Sequence, residues 1–324
     1  MESPPQSSKL LAYLKLCRLP NVFTALADIG MGACYVRGAS PPDGSMIALL
    51  LASGMMYTAG MVLNDVYDIE IDRRERPQRP LPSGLIHLDW ARKLGFGLLV
   101  LGVLFAWASP WLSGVNPTGM QLWRSGVIGV LLAGAILGYD IVLKHTPIGP
   151  IAMGSCRFLN VLLGMSISID ASTNLAVFAG FSPAQFVVAG GIGVYIVGVT
   201  FFAKSEATTS QAFLLFASLL VVVAGMALLA LFPRMGVSRP LAIAQPGWWP
   251  AIMAILGLFV IRPAMRAIMK PQSRYVQAAV KHFIVSLITL DAAVTFAMAG
   301  SVPAFMVLGL LVPMLIMGKW VYST

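Results

Sequence analysis

Charged residues are scarce in this sequence: Asp, Glu, Lys and Arg make up 11% of its 324 positions, less than half of the roughly 25% found in an average soluble domain. Water is therefore not the main solvent of the fold. Cysteine and histidine are thin as well, at three each. Cys17, Cys34 and Cys156 lie in separate hydrophobic stretches without CxxC spacing, and His87, His145 and His282 share no common spacing. These patterns point to neither a disulfide framework nor a zinc or histidine metal centre. Long polar stretches are also lacking. The longest polar connections run Asn64 to Trp90, Asp170 to Ser182 and Pro233 to Gly247, too short for a separate soluble module, so residues 1–324 are expected to form one domain. The polar stretch before Leu10 is too brief for a signal or transit peptide, and the hydrophobic stretch after it is expected to stay as an anchor.

What fills the sequence is hydrophobicity, at 58% of positions. Spans are expected near Leu10 to Val36, Ser45 to Leu63, Ala91 to Leu112, Leu122 to Leu143, Ile151 to Ile169, Pro183 to Ala203, Ala212 to Phe232, Trp248 to Met269, Val276 to Ala299 and Pro303 to Tyr322. Each approaches the roughly 20 apolar residues a helix needs to cross a bilayer. Backbone groups in lipid must find partners within their own segment, which makes these stretches helices. A membrane β-barrel would alternate polar and apolar residues, and these runs do not. The expected fold is all-α, a polytopic transmembrane helical bundle of nine or ten spans.

Basic residues set the orientation. With ten spans, all of the 22 Lys and Arg fall on one side except Arg37, Arg124, Arg234, Arg239 and the intra-span Arg157. The positive-inside rule places that side, with both termini, in the cytosol. The net charge of +9 then reads as topology and contact with anionic membrane lipids, not nucleic-acid binding, because the basic residues are spread over separate short loops.

Acidic residues are the informative minority. Asp65, Asp68, Glu70, Asp72 and Glu75 crowd into one short segment, out of 13 in the chain. Asp65, Asp68 and Asp72 stand at i, i+3 and i+7, one face of a helix continuing out of the second span. Like charges side by side repel, and a hard divalent cation such as Mg²⁺ would relieve them; it takes oxygen ligands and is commonly completed by substrate phosphate. Asn64 adds a carbonyl oxygen at the edge. Arg73, Arg74, Arg76 and Arg79 follow among Pro77, Pro80 and Pro82, which end the helix and fold the guanidinium groups back towards that face. Metal ligands beside phosphate clamps at a membrane surface suggest a lipid-like diphosphate substrate. The plain alternative is a solvated juxtamembrane loop of internal salt bridges.

The string NDVYDIEIDRRERPQRPLPSG, residues 64–84, resembles the first Asp-rich motif, NDxxDxxxD with an RP-containing loop, of the UbiA superfamily of intramembrane aromatic prenyltransferases. Arg18-Leu19-Pro20-Asn21 and the run from Tyr139 to Lys144, similar to the family's YxxxxK element, appear in the family's order. Gly149 to Gly164, with Arg157 and Asn160, and Leu290-Asp291-Ala292 resemble the EboC-like branch in particular.

The resemblance implies two cytosolic caps around a lateral, lipid-facing cavity, with Mg²⁺ between the caps binding the diphosphate of an isoprenyl donor. Carried over, Asn64, Asp65, Asp68 and Asp72 would hold Mg²⁺, Arg76 and Arg79 would brace the loop or the diphosphate, and Tyr139 and Lys144 would contact the departing diphosphate. The implied activity is Mg²⁺-dependent transfer of a prenyl group to a lipophilic acceptor, in a bacterial inner (cytoplasmic) membrane. Ionising an allylic carbon–oxygen bond builds negative charge on diphosphate and positive charge on carbon. Metal, Arg and Lys stabilise the first, and an apolar pocket keeps water from the second.

The second cap departs from the family's DxxxD. Here the sixth span ends in Lys204-Ser205-Glu206, with Ser210 where a second Asp would stand. Glu206 is the candidate metal ligand and Lys204 a candidate substrate contact, as is Asn21. Either one metal suffices, or a second binds weakly, or catalysis is lost and the chain only binds an isoprenoid. Among other intramembrane polar residues, Arg157 and Asn160 are open between substrate contact and a structural pair, Asp291 is expected to make an interhelical hydrogen bond, and Asp140 to sit at the site's edge. A transporter would line both halves of a pathway with polar groups, whereas here the acidic residues cluster at one place.

Overall fold

The computed structural model describes residues 6–167, 179–204, 212–237, 240–243 and 247–321. Its elements are helices: α1 (Gln6–Leu16), α2 (Leu19–Arg37), α3 (Gly44–Tyr67), α4 (Ile69–Glu75), α5 (Leu88–Ala108), α6 (Arg124–Ile141), α7 (Gly149–Met165), α8 (Pro183–Lys204), α9 (Ala212–Leu231), α10 (Trp248–Met269), α11 (Ser273–Ala299), α12 (Ser301–Gly309) and α13 (Leu311–Val321). Among the described residues, nine segments are long and apolar enough to cross a membrane, with α12 and α13 forming one of them. Helix α7, at 17 residues, is the tenth expected span and packs between α2, α6 and α8.

The expected first span is two helices. The chain breaks at Cys17 and Arg18, and Arg18 takes a left-handed conformation (φ 43°, ψ 45°). Pro20 explains the break, because it has no N–H to donate and its ring would clash with the carbonyl of Leu16 in a continuous helix. The last span divides at Leu310 for the same reason, with Pro313 set against the carbonyl of Gly309.

Without a strong hydrophobic drive between helices in lipid, close backbone approach holds such a bundle together. At the crossing of α2 and α7, a Cβ on Gly32 would lie 2.9 Å from the backbone of Gly164 and Met165, and one on Gly164 would lie 2.8 Å from Ile29. Only glycine permits that approach. The outer faces carry the reverse pattern: Leu104, Leu131, Phe213, Leu258 and Phe305 are all more than half exposed, as befits side chains solvated by acyl tails.

Alternation of the spans gathers the start of α2, the end of α3, the end of α6, the starts of α7 and α11 and the end of α13 at one end of the bundle. The chemistry of the sequence collects there.

Candidate active site

Helix α3 delivers Asn64 and Asp65 in its last turn and breaks at Asp68 (φ −89°, ψ 6°), which also caps α4. The expected single helix is thus interrupted, yet the face survives. Asp68 N–H donates to the Asn64 carbonyl at 3.0 Å, and Asp72 N–H to the Asp68 carbonyl at 2.8 Å, so Asp72 follows in register on α4. Pro77 disfavours a helical Arg76 and ends α4. The loop then turns back through Gly84 (φ +77°). Leu81 and Ile86 anchor it in a small core with Ala12 and Leu16 of α1 and Val62, Val66 and Ala91.

That anchoring aims Arg79 at the carboxylates. Its Nη1 lies 2.7 Å from Asp72 Oδ2 and 3.4 Å from Asp65 Oδ1. Arg18, swung out by its left-handed backbone, donates from Nη2 to Asp65 Oδ1 at 3.0 Å. Arg76 is more distant, with Nη1 4.0 Å from Asp72 Oδ1 and half its side chain exposed. Lys144 belongs to a tight turn, Leu143–His145, and reaches 76 residues back along the chain. Its Nζ is 2.7 Å from Asp68 Oδ1 and 3.4 Å from the Asn64 carbonyl. His145 Nε2 is 3.5 Å from the same Asp68 oxygen. Gly149 makes room for that turn, since a Cβ there would lie 2.7 Å from the Leu143 carbonyl oxygen. Asn64 Nδ2 donates to Asp140 Oδ1 at 3.1 Å, which places Asp140 inside the cluster.

No three of the described His, Cys, Asp or Glu side chains converge on a common point; each carboxylate turns to a cation instead. The donor set nevertheless suits Mg²⁺. It is all oxygen, Asp68 Oδ1 is buried and accepts no well-directed hydrogen bond despite the nearby ammonium, and Mg²⁺ needs only one or two carboxylates when phosphate and water complete its shell.

Beside this charged end is a small cavity of about 60 Å³ lined by Tyr57, Met61, Ile136, Tyr139, Asp140, Met153, Arg157 and Asn160, among others. Its lining is mainly apolar and aromatic, and it includes Tyr139 and the neighbouring Asp140, whose carboxylate accepts from Asn64. Arg157 and Asn160 face the cavity but are committed elsewhere. Arg157 Nη1 donates to Asp28 Oδ2 at 2.9 Å and Nη2 to Thr24 Oγ1 at 2.6 Å. Asn160 Nδ2 donates to the same Asp28 oxygen at 2.9 Å, and its Oδ1 accepts from Ser53 at 2.7 Å. Asp291 meets the expectation of an interhelical contact: its carboxyl, on α11, shares a side-chain hydrogen bond with that of Asp28 on α2, and no N–H or hydroxyl among the described residues donates to either of its oxygens.

Two further candidates lie apart from the carboxylates. Asn21 lines a larger groove between α2, α11 and α13, while its side chain touches Tyr57. Lys204 Nζ donates to the Thr146 carbonyl at 3.0 Å, tying α8 to the turn after Lys144. Glu206, with Ser205 and Ser210, lies outside the described residues. Sequence reasoning passed over Tyr57 and Ser53, whose place on the cavity wall has no local signal, and the pairing of Arg157 with Asp28, which is 129 residues distant.

The profile described as UbiA prenyltransferase family matches residues 23–324. A digeranylgeranylglyceryl phosphate synthase from Metallosphaera sedula is 31% identical over 158 residues, 47% of this chain and 50% of its own length. The chain thus aligns with about half of that relative. A UbiA homologue from Aeropyrum pernix superposes with a TM-score of 0.62 at 18% identity, covering 84% of this chain and 96% of its own. One from Archaeoglobus fulgidus, solved with DMAPP and Mg²⁺, gives 0.54 at 15% identity, over 86% of this chain and 99% of its own. At such identities the two structures establish the shared fold.

Proposed function

The chain belongs to the UbiA prenyltransferase family, and we propose that it transfers a prenyl group from an isoprenyl diphosphate to a lipophilic acceptor, with Mg²⁺ at the Asp-rich end of the bundle. The observation that carries this reading is the interleaving of Asp65, Asp68 and Asp72 with Arg79 and Lys144, joined through Asn64 to Asp140, which lines a mainly apolar cavity together with Tyr139. A diphosphate arriving there meets cations already held in place.

Asn64, Asp65, Asp68 and Asp72 would hold Mg²⁺, which supplies Lewis-acid neutralisation of the diphosphate oxygens. Arg79 and Lys144 add positive charge where negative charge grows as the prenyl C1–O bond breaks and its electron pair leaves with the diphosphate. Tyr139, which lines the cavity, would stabilise the prenyl cation through its π-electrons, and the Met and Ile side chains around it would keep water from that carbon. The acceptor's nucleophilic atom would then form the new bond to C1, and its proton would pass to the released diphosphate. Arg76 would meet the outer oxygens, and Lys204, which donates to the Thr146 carbonyl, would hold the Lys144 turn. The basic residues at this end favour a cytosolic orientation.

A second reading is a non-catalytic isoprenoid binder, favoured by the lone carboxylate Glu206 in the second cap. Incubation of the purified protein with labelled prenyl diphosphates, Mg²⁺ and membrane lipid extract, read by mass spectrometry, separates the two. Prenylated lipid and released diphosphate are expected. Saturable binding of the diphosphate without turnover on any acceptor would establish the binder instead.

A further inference from the structure

A groove away from the carboxylates lies between α2, α11 and α13. It measures about 690 Å³ and is lined by Asn21, Gln277, Val280, Lys281, Ile284, Val285, Met314, Leu315, Gly318 and Lys319. That is the size of a small-amphiphile site. The lining is graded along its length. Asn21 is in the first turn of α2, Gln277 and Lys281 are in the first turns of α11, and Lys319 is in the last turn of α13, so the polar groups gather at the end of the bundle that carries the Asp-rich loop. Ile284, Val285, Met314 and Leu315 lie deeper towards the bilayer centre.

The charges in this groove are of one sign. Lys281 and Lys319 come from different helices and are exposed. No carboxylate lines the groove with them, and neither has a hydrogen-bond or ion-pair partner among the described residues, in contrast to Arg18, Arg79 and Lys144. Lys281 lies two turns inside α11, about 12 Å along its axis, which is headgroup-to-carbonyl depth once the helix start is set at the interface. Trp320, 72% exposed next to Lys319, marks the same interfacial level. Two ammonium groups without a partner among the described residues, over an apolar floor, complement one chemistry: a phosphate on an acyl-chain lipid.

We propose that this groove is a binding site for an anionic phospholipid of the adjoining leaflet, its phosphate between Lys281 and Lys319 and an acyl chain along Ile284, Val285, Met314 and Leu315. The site is distinct from the diphosphate clamp and does not depend on the proposed transfer reaction.

The test is native mass spectrometry of the purified full chain, released from detergent after incubation with equimolar phosphatidylglycerol and phosphatidylcholine. Wild type is expected to retain phosphatidylglycerol with about ten-fold preference, and the double variant Lys281→Gln/Lys319→Gln to bind both lipids equally. The double Lys→Arg variant keeps the charge and should keep the preference, and Lys319→Gln alone should lose part of it if the double Gln variant fails to fold. Equal retention by wild type, or an undiminished preference in the Gln variants, would overturn the proposal. So would complete displacement of the lipid by millimolar glycerol phosphate, which would show a site for soluble phosphate.

Discussion

Lys144 Nζ lies 2.7 Å from Asp68 Oδ1, joining the turn after α6 to the hinge between α3 and α4. The lysine is buried and its carboxylate only partly so (6% and 18% side-chain exposure). The pair is thus strong enough to set the turn and open enough for a ligand to reach. Replacing Asp68 by Asn keeps the shape and removes the charge. Turnover in the labelled prenyl-diphosphate assay is expected to fall by about 10²–10³-fold, the scale of losing one preorganised electrostatic contact. The detergent melting temperature should change little. Wild-type turnover in Asp68→Asn would remove this carboxylate from the chemistry.

Arg79 is a different case, because one guanidinium spans two carboxylates, Asp65 and Asp72. A lysine carries the same charge but presents a single point of it, and cannot bridge both oxygens or meet a phosphate bidentately. Arg79→Lys is therefore expected to behave much more like Arg79→Gln than like wild type, with prenyl-diphosphate affinity down about ten-fold or more. Calorimetric titration of the three proteins checks this, and full rescue by lysine would mean that charge alone matters.

The sequence already exposed the membrane spans, since their length and composition answer to bilayer thickness alone, and the Asp and Arg segment, since its spacing is local. Where the reading failed, a single proline or a distant partner decided the outcome. Pro20 splits the first span and frees Arg18 to reach Asp65, a consequence of two residues that look unremarkable inside a hydrophobic run. The hinge at Asp68 leaves the carboxylate face intact because the hydrogen-bond ladder continues through it. Arg157 and Asn160 were ambiguous for a physical reason: their polar groups answer to Asp28 on another helix, and no spacing rule connects positions so far apart. Tyr57 and Ser53 needed the packing of α2, α3 and α7 to be seen at all.

Metal dependence follows from the oxygen donors proposed as ligands, those of Asn64, Asp65, Asp68 and Asp72. Chelation with EDTA is expected to abolish turnover, and Mg²⁺ to restore it, whereas Ca²⁺, which is larger and favours more ligands, should restore it poorly. In Asp65→Asn the Mg²⁺ concentration for half-maximal rate should rise about ten-fold, because a neutral amide replaces an ionic ligand. Rates that are indifferent to EDTA would exclude this assignment. If Glu206→Gln also shifts the Mg²⁺ requirement, the second cap shares in metal binding; an unchanged requirement would leave the metal to the first cap alone.

Asp28 and Arg157 are a stability test separate from the chemistry. Asp28 is completely buried and takes hydrogen bonds from Arg157 and Asn160 on one oxygen, while the carboxyl of Asp291 faces it from α11. Removing the guanidinium leaves two buried carboxyls without their cation. Arg157→Gln is expected to destabilise the bundle on the order of 3–5 kcal/mol, the usual result of breaking one partner out of a buried pair. Asp291→Asn replaces an acid that shares a hydrogen bond with Asp28 by a neutral amide able to donate to the same carboxylate, so it should be neutral or stabilising. Thermal unfolding in detergent, followed by tryptophan fluorescence, measures both. The double variant Arg157→Gln/Asp291→Asn should recover part of the loss, because one fewer buried carboxyl then lacks compensation. Additive effects of the two changes would mean that Asp291 and Arg157 do not share Asp28 energetically.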